Sequence, residues 1–334
     1  MEFGDWRGHQ VLITGGLGFI GSNLAIRCVE LGSAVTLLTR SEAKAHNIAP
    51  VRKRVRVHNA DLSDADQREA AWRKLLPGSD VVFHLTAQTS HIVSMQAPLA
   101  DLEANCSVTL SLLEACRRYA PEAAVVMPGT VTQAGRVAAV PAAEDLPDLP
   151  VSLYDAHKLT CEKYLYIYAK NYGLKTTTLR LANVFGERQQ MNNPQRGILN
   201  FMLKRALTGE PLTIYEPGNF VRDYSYVQNV VDALLLAAAS PHTAGQSYIF
   251  GSGQGLKFYE MIDILVAEVR GITGQQATVQ WVPFPGEEKR IDAGDFIADN
   301  RKFRAHTGWL ERVDFETGVQ NTIYFYRDHL DAYL

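Results

Sequence analysis

Tyr154 and Lys158 are the residues whose types and spacing most directly suggest acid–base chemistry. They stand four positions apart in a segment, residues 153–172, whose pattern predicts a helix, so both side chains lie on one helix face. An ammonium group beside a phenol lowers the phenol pKa from its ordinary value of about 10. The pair therefore predicts that Tyr154 acts as an acid or a base near neutral pH.

The same predicted helix carries a second copy of this spacing, Tyr166 and Lys170. Parallel sheets bind ligands at the carboxyl ends of their strands, which is where the following helices begin. At the helical rise per residue, Tyr166 lies about 18 Å further along the helix than Tyr154. We therefore place Tyr154 and Lys158 in the site, and the second pair on the surface or in packing contacts.

A glycine-rich run from Thr14 to Gly21, TGGLGFIG, is a candidate phosphate-binding turn. It fits both GxxGxxG and GxGxxG, follows a predicted strand and opens a predicted helix. Glycines let the backbone approach a pyrophosphate, whose charge the helix N-terminus then holds. The run predicts a dinucleotide, and the positive ring of a nicotinamide would help Lys158 to lower the phenol pKa. The residues of this turn assigned to the cofactor site are Gly15, Gly18, Phe19, Ile20 and Gly21.

The strand that follows this helix ends in Thr39 and Arg40, where an NAD site usually has an Asp or Glu. A guanidinium there would attract the 2'-phosphate of NADP, so the sequence favours NADP but leaves NAD open. At the end of the next strand, Asp61 and Leu62 could reach the adenine. The alternative for Asp61 is a helix-entry residue before a cap at Ser63.

The elements that must position these residues alternate between strand and helix through the first half of the chain. This alternation of strands and helices predicts an α/β fold, a doubly wound parallel sheet of the Rossmann type, with a smaller α/β substrate-binding lobe. We expect a dinucleotide-binding domain formed by residues 1–184 and about 223–251. The substrate domain is expected to comprise about 185–222 and 252–334.

Composition excludes other classes of function. The chain has 334 residues and a net charge of -3, without a long basic run, which argues against nucleic-acid binding. No apolar stretch reaches the length of about 18 residues that would argue for a membrane span. Four cysteines without a CxxC pair, and no signal peptide at the N-terminus, indicate a reducing cytoplasm. No group of His, Asp or Glu has the spacing of a metal site.

Taken in order, six motifs resemble those of the extended short-chain dehydrogenase/reductase family of nucleotide-sugar epimerases and dehydratases. The resemblance covers nearly the whole chain. The motifs are TGGLGFIG, HLTAQ, the mid-chain Asn105, YxxxK, RLANVFG and RDYSYV.

The resemblance implies further site residues and a nucleotide-diphosphate sugar as substrate. Thr130 matches the catalytic Ser or Thr whose hydroxyl binds the reacting sugar oxygen, and Asn105 matches an Asn that supports the active-site network. The expected cofactor-lining residues are Leu85, Thr86 and Ala87. The expected substrate contacts are Gln88, Ser90 and Thr130, then Asn183 and Arg222 at the diphosphate, Tyr215 beside the base, and Lys289 or Arg290 at a second phosphate position. The resemblance also implies a homodimer that pairs through helices near 99–119 and 153–172.

Departures from the family pattern narrow the reaction. Dehydratases of the family commonly follow the catalytic Thr with Asp-Glu, whereas here Val131 and Thr132 follow, so a 4,6-dehydratase is not expected. The Cys and Lys used to epimerise C3 and C5 are also missing. We therefore expect epimerisation at C4, in which deprotonated Tyr154 removes the sugar hydroxyl proton and hydride passes to the cofactor and back.

Three alternatives remain beside epimerisation. Arg40 supports an NADPH-dependent 4-ketoreductase of a nucleotide sugar. A reductase of apolar substrates is weakened by Arg222, Lys289 and Arg290, whose charges suit a diphosphate. A non-catalytic dinucleotide sensor would not need Thr130, Tyr154 and Lys158 together.

Overall fold

A computed structural model describes residues 4–283 and 294–334 of the chain. Its strands are β1 Gln10–Thr14, β2 Ala34–Thr39, β3 Val55–Asn59, β4 Val81–His84, β5 Ala124–Thr130, β6 Lys175–Leu181, β7 Asn183–Phe185, β8 Leu212–Tyr215, β9 Val221–Tyr226, β10 Gln246–Phe250, β11 Gly255–Lys257 and β12 Val279–Val282. Its α-helices are α1 Phe19–Glu30, α2 Ala65–Leu75, α3 His91–Gln96, α4 Pro98–Leu102, α5 Val108–Tyr119, α6 Leu153–Tyr172, α7 Ile198–Thr208, α8 Val227–Ala239, α9 Phe258–Thr273, α10 Arg301–Thr307 and α11 Phe315–His329.

The main sheet has seven strands in the order β10-β6-β5-β4-β1-β2-β3, and every pairing in it is parallel. The order reverses between β1 and β4, because β2 and β3 lie on one side and the later strands on the other. Helices cover both faces: α1 and α8 pack in one core, and α2, α5 and α6 in the other. The predicted doubly wound Rossmann fold is confirmed.

The smaller lobe is built on two short sheets, β11-β9-β7 and β12-β8. A separate core joins these strands to α7, α9 and α11. The chain passes between the lobes more than once, since β9 pairs in the small sheet while α8 packs on the main sheet and β10 forms its edge. The residue bounds given above for the two domains stay a prediction.

The helix α6, which carries Tyr154, has a capping residue at each end. Ser152 is its N-cap and accepts a hydrogen bond from the Asp155 amide, and Gly173 ends it in a left-handed conformation with a φ of 71°. A π-helical turn, Glu103–Ser107, lies just before α5 and brings Asn105 toward α6. Within the described residues, no helix is long and apolar enough to cross a membrane, and no cluster of metal-ligating side chains occurs.

Candidate active site

The glycine turn between β1 and α1 is packed too tightly for side chains. Gly15 has a φ of 67°, and a Cβ on Gly21 would lie 2.4 Å from the Gly15 carbonyl oxygen. The N-cap of α1, Gly18, has no side-chain hydrogen bond, and the first turn of α1 contains no acidic residue. The first amides of α1 are thus available to an anion, and the turn fits the pyrophosphate of a dinucleotide. Phe19 and Ile20 are partly buried in this first turn and pack against the core of the smaller lobe.

The carboxyl end of β4 lies against the glycine turn. A Cβ on Gly15 would lie 3.0 Å from the Leu85 backbone, so Leu85 lines this turn directly. The amides of Leu85 and Thr86 both donate to Thr14 Oγ1 at 3.1 Å. Leu85, Thr86 and Ala87, which the sequence assigns to the cofactor, are half-buried along this edge.

The ends of β2 and β3 meet at the same edge of the sheet, since the Ala60 amide donates to the Thr39 carbonyl at 2.9 Å. Arg40 is exposed there, and Thr39 Oγ1 donates to the Ser41 carbonyl. Asp61 Oδ1 accepts from the Ser63 amide at 3.0 Å, which is the helix-entry contact considered above. Leu62 is buried in the core with α2.

The expected cap at Ser63 is wrong. Asp64 is the N-cap of α2, and its side chain accepts from the amides of Asp66 and Gln67. A carboxylate at this position is a stronger acceptor for helix amides than the serine hydroxyl one residue earlier.

Tyr154 and Lys158 lie in the first turns of α6 and are almost wholly buried, with 8% and 5% exposure. Tyr166 is 51% exposed, and the Lys170 ammonium lies 5.7 Å from its ring centroid at the surface. The expected surface position of Tyr166 and Lys170 is confirmed, while the assignment of Tyr154 and Lys158 to the site stays a prediction.

The electrostatics of Tyr154 differ from the expectation. Burial raises the pKa of the Tyr154 phenol, and the nearby carboxylates of Asp155 and Asp101 raise it further. Burial also lowers the pKa of the Lys158 ammonium. Among the chain's own residues, burial and these two carboxylates therefore outweigh Lys158, which the sequence spacing could not indicate. The lowering of the phenol pKa by Lys158 together with a nicotinamide ring stays a prediction.

Thr130, at the end of β5, is fixed at both its amide and its hydroxyl. Its amide donates to Gln133 Oε1 at 2.8 Å, and Gln133 Nε2 donates to the buried Glu162 carboxylate at 3.1 Å. Its Oγ1 lies 2.8 Å from Thr132 Oγ1, and Thr132 Oγ1 donates to Asp155 Oδ1. Thr130 is thereby connected to the residue that follows Tyr154.

Sequence reasoning missed Thr132, Asp155 and His91 as residues of the site. Thr132 was considered only because it stands where a dehydratase has an acidic residue. The sequence signal for Asp155 was its position three residues after the N-cap Ser152 and directly after Tyr154. The His91 ring meets the Tyr154 ring edge-on, with centroids 5.1 Å apart. His91 Nδ1 lies 3.3 Å from Asp155 Oδ2.

Asn105 is 2% exposed, and only one of the two polar atoms of its side chain has a hydrogen-bond partner among the described residues. Its Nδ2 donates to the Gln88 carbonyl at 3.3 Å, while its Oδ1 is buried without a hydrogen-bond partner among the described residues. Its backbone carbonyl accepts from Thr109 Oγ1 at 2.7 Å and from Cys161 Sγ at 3.4 Å. These contacts join the segment around Asn105 to α5 and to α6.

The side chains of Gln88 and Ser90 make their hydrogen bonds within the segment from β4 to α4. Gln88 Nε2 donates to Asp101 Oδ1 at 2.6 Å, and Gln88 Oε1 accepts from the Ser90 amide at 2.6 Å. Ser90 Oγ caps α3 by accepting from the Val93 amide. Both residues therefore shape the loop beside Tyr154, and their contact with a substrate stays a prediction.

The residues expected at the nucleotide lie in the smaller lobe. Asn183 is exposed on β7, opposite Tyr224 of β9, which places it near Arg222. Arg222 Nη1 donates to the Val221 carbonyl at 3.0 Å and to the Gly294 carbonyl, and its guanidinium lies 4.8 Å from the Phe220 ring centroid. Tyr215 is 43% exposed at the end of β8. Lys289 and Arg290 lie outside the described residues.

Together, the parallel sheet with its glycine turn and the buried Tyr154–Lys158 pair define a dinucleotide-dependent enzyme. The model of the NAD dependent epimerase/dehydratase family matches residues 11–251. A UDP-glucose 4-epimerase of Mycolicibacterium smegmatis is 30% identical, over 96% of this chain and 99% of the relative. The solved structure of a Thermus thermophilus UDP-glucose 4-epimerase in complex with NAD has a TM-score of 0.81 and 34% identity, covering 95% of this chain and 99% of the other.

A Thermotoga maritima UDP-glucose 4-epimerase with UDP-glucose is similar too, with a TM-score of 0.83 and 30% identity over 96% of this chain and 99% of the other. The chain therefore belongs to the NAD-dependent epimerase/dehydratase family. This confirms the family resemblance and the nicotinamide dinucleotide as cofactor. The choice between NAD and NADP stays a prediction.

Proposed function

We propose that this protein is a nucleotide-sugar 4-epimerase. The observation that carries the proposal is the set Thr130, Tyr154 and Lys158 at the carboxyl edge of the sheet, followed at Val131 and Thr132 by side chains that cannot act as the acid of an elimination. Similarity to UDP-glucose 4-epimerases over 95% or more of the chain supports C4 as the reacting carbon.

A bound nicotinamide dinucleotide would supply reversible hydride transfer at the sugar carbon. The chain's own residues would position the partners: the turn at Gly15, Gly18 and Gly21 would hold the pyrophosphate, and Lys158 would contact the cofactor beside Tyr154. Tyr154 and Thr130 hydrogen-bond the reacting sugar oxygen from two sides. Arg222 and Asn183 hold the diphosphate in the smaller lobe, which fixes the nucleotide and leaves the sugar able to turn.

The direct test is the conversion of UDP-glucose to UDP-galactose by the purified protein, followed by NMR. Wild-type protein should interconvert the two sugars without added cofactor. Tyr154→Phe should reduce turnover by at least about 100-fold, the usual contribution of a positioned acid–base group, while UDP binding persists. Turnover in Tyr154→Phe close to that of the wild type would contradict the proposal.

A second candidate function is the net reduction of a 4-keto nucleotide sugar by NADPH, which the exposed Arg40 favours. Denaturing the purified protein and identifying any released dinucleotide by mass separates the two. Stoichiometric NAD or NADP indicates a recycled cofactor and epimerisation. A protein purified empty that binds NADPH reversibly indicates a reductase.

We also propose a homodimer, paired through α4, α5 and α6. Large apolar side chains are exposed on these helices, including Leu99 at 79%, Tyr166 at 51% and Ile167 at 43%. Several large apolar side chains exposed on neighbouring helices are typical of a protein–protein interface. A cytoplasmic location also stays a prediction from the sequence.

A further inference from the structure

Two buried asparagines hold the backbone of the glycine turn. Asn23, on α1, is 1% exposed, and Asn47, in the short helical segment Ala45–Arg54, is 2% exposed. Asn23 Nδ2 donates to the Phe19 carbonyl at 2.9 Å, and Asn47 Nδ2 donates to the Leu17 carbonyl at 2.9 Å. The position of these two carbonyls therefore depends on side chains outside the turn.

The same two side chains reach the loop that follows β7 of the smaller lobe. Asn23 Nδ2 donates also to the Glu187 carbonyl at 3.0 Å, and Asn47 Nδ2 to the Arg188 carbonyl at 3.5 Å. An amide NH2 group has two hydrogens, so each asparagine can bind the turn and the loop at once. The glycine turn is thereby connected to the smaller lobe.

The side chain of Arg188 completes this connection. Its Nε donates to the Asn47 carbonyl at 3.0 Å, and its Nη1 donates to Asn23 Oδ1 at 2.9 Å. Its guanidinium lies 4.9 Å from the ring centroid of Phe325 on α11. Two nitrogens of one planar group therefore bind both asparagines, which a lysine with its single nitrogen cannot do.

The partners determine how both asparagine amides are oriented. Backbone carbonyls only accept hydrogen bonds and a guanidinium only donates them, so the Nδ2 atoms face the carbonyls. Asn23 Oδ1 then accepts from Arg188 and from Gln228 Nε2, the latter at 3.1 Å. Asn47 Oδ1 accepts from the Tyr333 hydroxyl at 2.5 Å. Every hydrogen bond of the set has a donor and an acceptor in place.

Arg188 occupies this position in a disfavoured backbone conformation. Its φ is 69°, the one positive value at a non-glycine residue in the part of the chain that the structure describes. Side chains are disfavoured in this left-handed region unless surrounding contacts compensate for the cost. A glycine would adopt the same φ freely. The presence of arginine is therefore explained by its side-chain contacts with Asn23, Asn47 and Phe325.

The two held carbonyls set the direction of amides in the cofactor turn. In a trans peptide, the C=O and N–H groups of one plane point in opposite directions. Holding the Phe19 carbonyl therefore fixes the Ile20 amide, which is one of the first amides of α1. Holding the Leu17 carbonyl fixes the Gly18 amide, which closes the turn by donating to the Gly15 carbonyl at 2.9 Å.

We propose that Arg188, Asn23 and Asn47 form a clamp that holds the glycine turn in its pyrophosphate-binding conformation and keeps the dinucleotide bound. Arg188 is a positioning residue, because it acts on the cofactor through the two asparagines. Without the clamp, the turn would adopt the binding conformation for a smaller fraction of the time, and the apparent Kd would rise in proportion. The clamp depends on the cofactor class alone and thus goes beyond the proposed sugar reaction.

The substitution Arg188→Lys tests the clamp at its centre, since lysine keeps the charge and has one nitrogen in place of two. Purified protein is incubated with NADH, which exchanges with any bound dinucleotide, and NADH release is followed by fluorescence after dilution into excess NAD. If the turn without its clamp is ordered about a tenth of the time, release should be about tenfold faster than in wild type. A parallel series uses NADPH.

The matched control is Arg327→Lys on α11. Arg327 contacts Asp328 at 2.8 Å, and its side chain is 47% exposed. This variant should release NADH at the wild-type rate.

Competing ligands show whether the effect lies at the pyrophosphate. ADP-ribose carries the pyrophosphate, whereas adenosine does not. At a fixed, saturating NADH concentration, the ADP-ribose concentration that displaces half of the NADH should be the same in Arg188→Lys as in wild type, because both ligands lose affinity alike. Adenosine should displace NADH at about tenfold lower concentration in Arg188→Lys. A general loosening of the domain would weaken all three ligands and leave both concentrations unchanged.

Every outcome decides for or against the clamp. Release from Arg188→Lys at the wild-type rate, or unchanged displacement by adenosine, would overturn it. If circular dichroism shows that Arg188→Lys is unfolded, Tyr333→Phe takes its place, because it removes only the hydroxyl that donates to Asn47. Tyr333→Phe should release NADH about threefold faster, as expected for one neutral hydrogen bond, and release at the wild-type rate would overturn the clamp.

Failure of the clamp and failure of the epimerase function are distinguishable. A wild type that does not interconvert UDP-glucose and UDP-galactose refutes the function, while NADH release still decides the clamp. A wild type that binds neither NADH nor NADPH refutes the clamp together with the cofactor.

Discussion

Glu162→Ala is expected to destabilise the protein and to disturb the site at the same time. Glu162 on α6 is 3% exposed. Its two carboxylate oxygens accept hydrogen bonds from Nε and Nη2 of Arg180 on β6, both at 2.7 Å. Removing one partner of a buried ion pair leaves the other uncompensated and costs about 3 to 5 kcal/mol. Arg180 Nη1 would keep its contact with Asp148 at 2.6 Å, so we expect a loss near the lower end, about 3 kcal/mol.

The matched control is Lys163→Ala. Lys163 contacts the same two carboxylates, Asp148 and Glu162, at 3.2 Å each, but its side chain is 53% exposed. An exposed pair contributes about 0 to 1 kcal/mol. Free energies of unfolding from urea titration should therefore differ by about 2 kcal/mol or more between the two variants. Equal losses of unfolding free energy in the two variants would refute the stabilising role of the buried Glu162–Arg180 ion pair.

Acid pH provides a further check on Glu162. Burial acts to raise the pKa of Glu162, but Arg180 and Lys163 outweigh it and the net shift is downward from 4.5. A carboxyl with a lowered folded pKa contributes stability that is complete above its unfolded pKa and is lost as the pH falls through the folded pKa. Below about pH 4.5 the wild type should therefore lose stability more steeply than Glu162→Ala. Parallel curves would contradict this assignment.

Three further substitutions test the cofactor site and the dimer. Gly21→Ala should abolish NAD binding in calorimetry, because its Cβ would lie 2.4 Å from the Gly15 carbonyl oxygen; wild-type affinity would contradict the glycine turn as the pyrophosphate site. Arg40→Ala should weaken NADP binding about tenfold and leave NAD binding unchanged, as expected for one charge-assisted hydrogen bond; equal effects on both would exclude contact with the 2'-phosphate. Leu99→Glu, at a side chain 79% exposed, should convert a dimer to a monomer in light scattering, and a monomeric wild type would contradict the proposed interface.

Features encoded by adjacent residues could be predicted from the sequence. The glycine turn needs its three glycines at fixed offsets between a strand and a helix, and the structure has each of these parts in place. The depth of Tyr154 along α6, compared with Tyr166, followed from the helical rise and from the edge at which parallel sheets bind ligands. Local order and strand direction sufficed for both.

Features that depend on distant parts of the chain were not predictable in the same way. The pKa of Tyr154 is set by burial and by Asp101, which lies 53 positions earlier in the sequence. Thr132 reaches Asp155 across 23 positions, and nothing in the spacing of the two residues indicates a contact. Gln88 turns to Asp101 and Ser90 because the segment between β4 and α4 folds back on itself. Such contacts follow from tertiary packing, and a single sequence holds no pattern that specifies them.

Epimerisation at C4 is tested most directly by following deuterium in UDP-[4-2H]glucose with the purified protein. A 4-epimerase returns the same hydride to the carbon from which it came, so UDP-galactose should form with the label retained at C4 and with no net change in the cofactor. Failure to form UDP-galactose, or turnover only with a 4-keto sugar and stoichiometric consumption of NADPH, would contradict the proposed function.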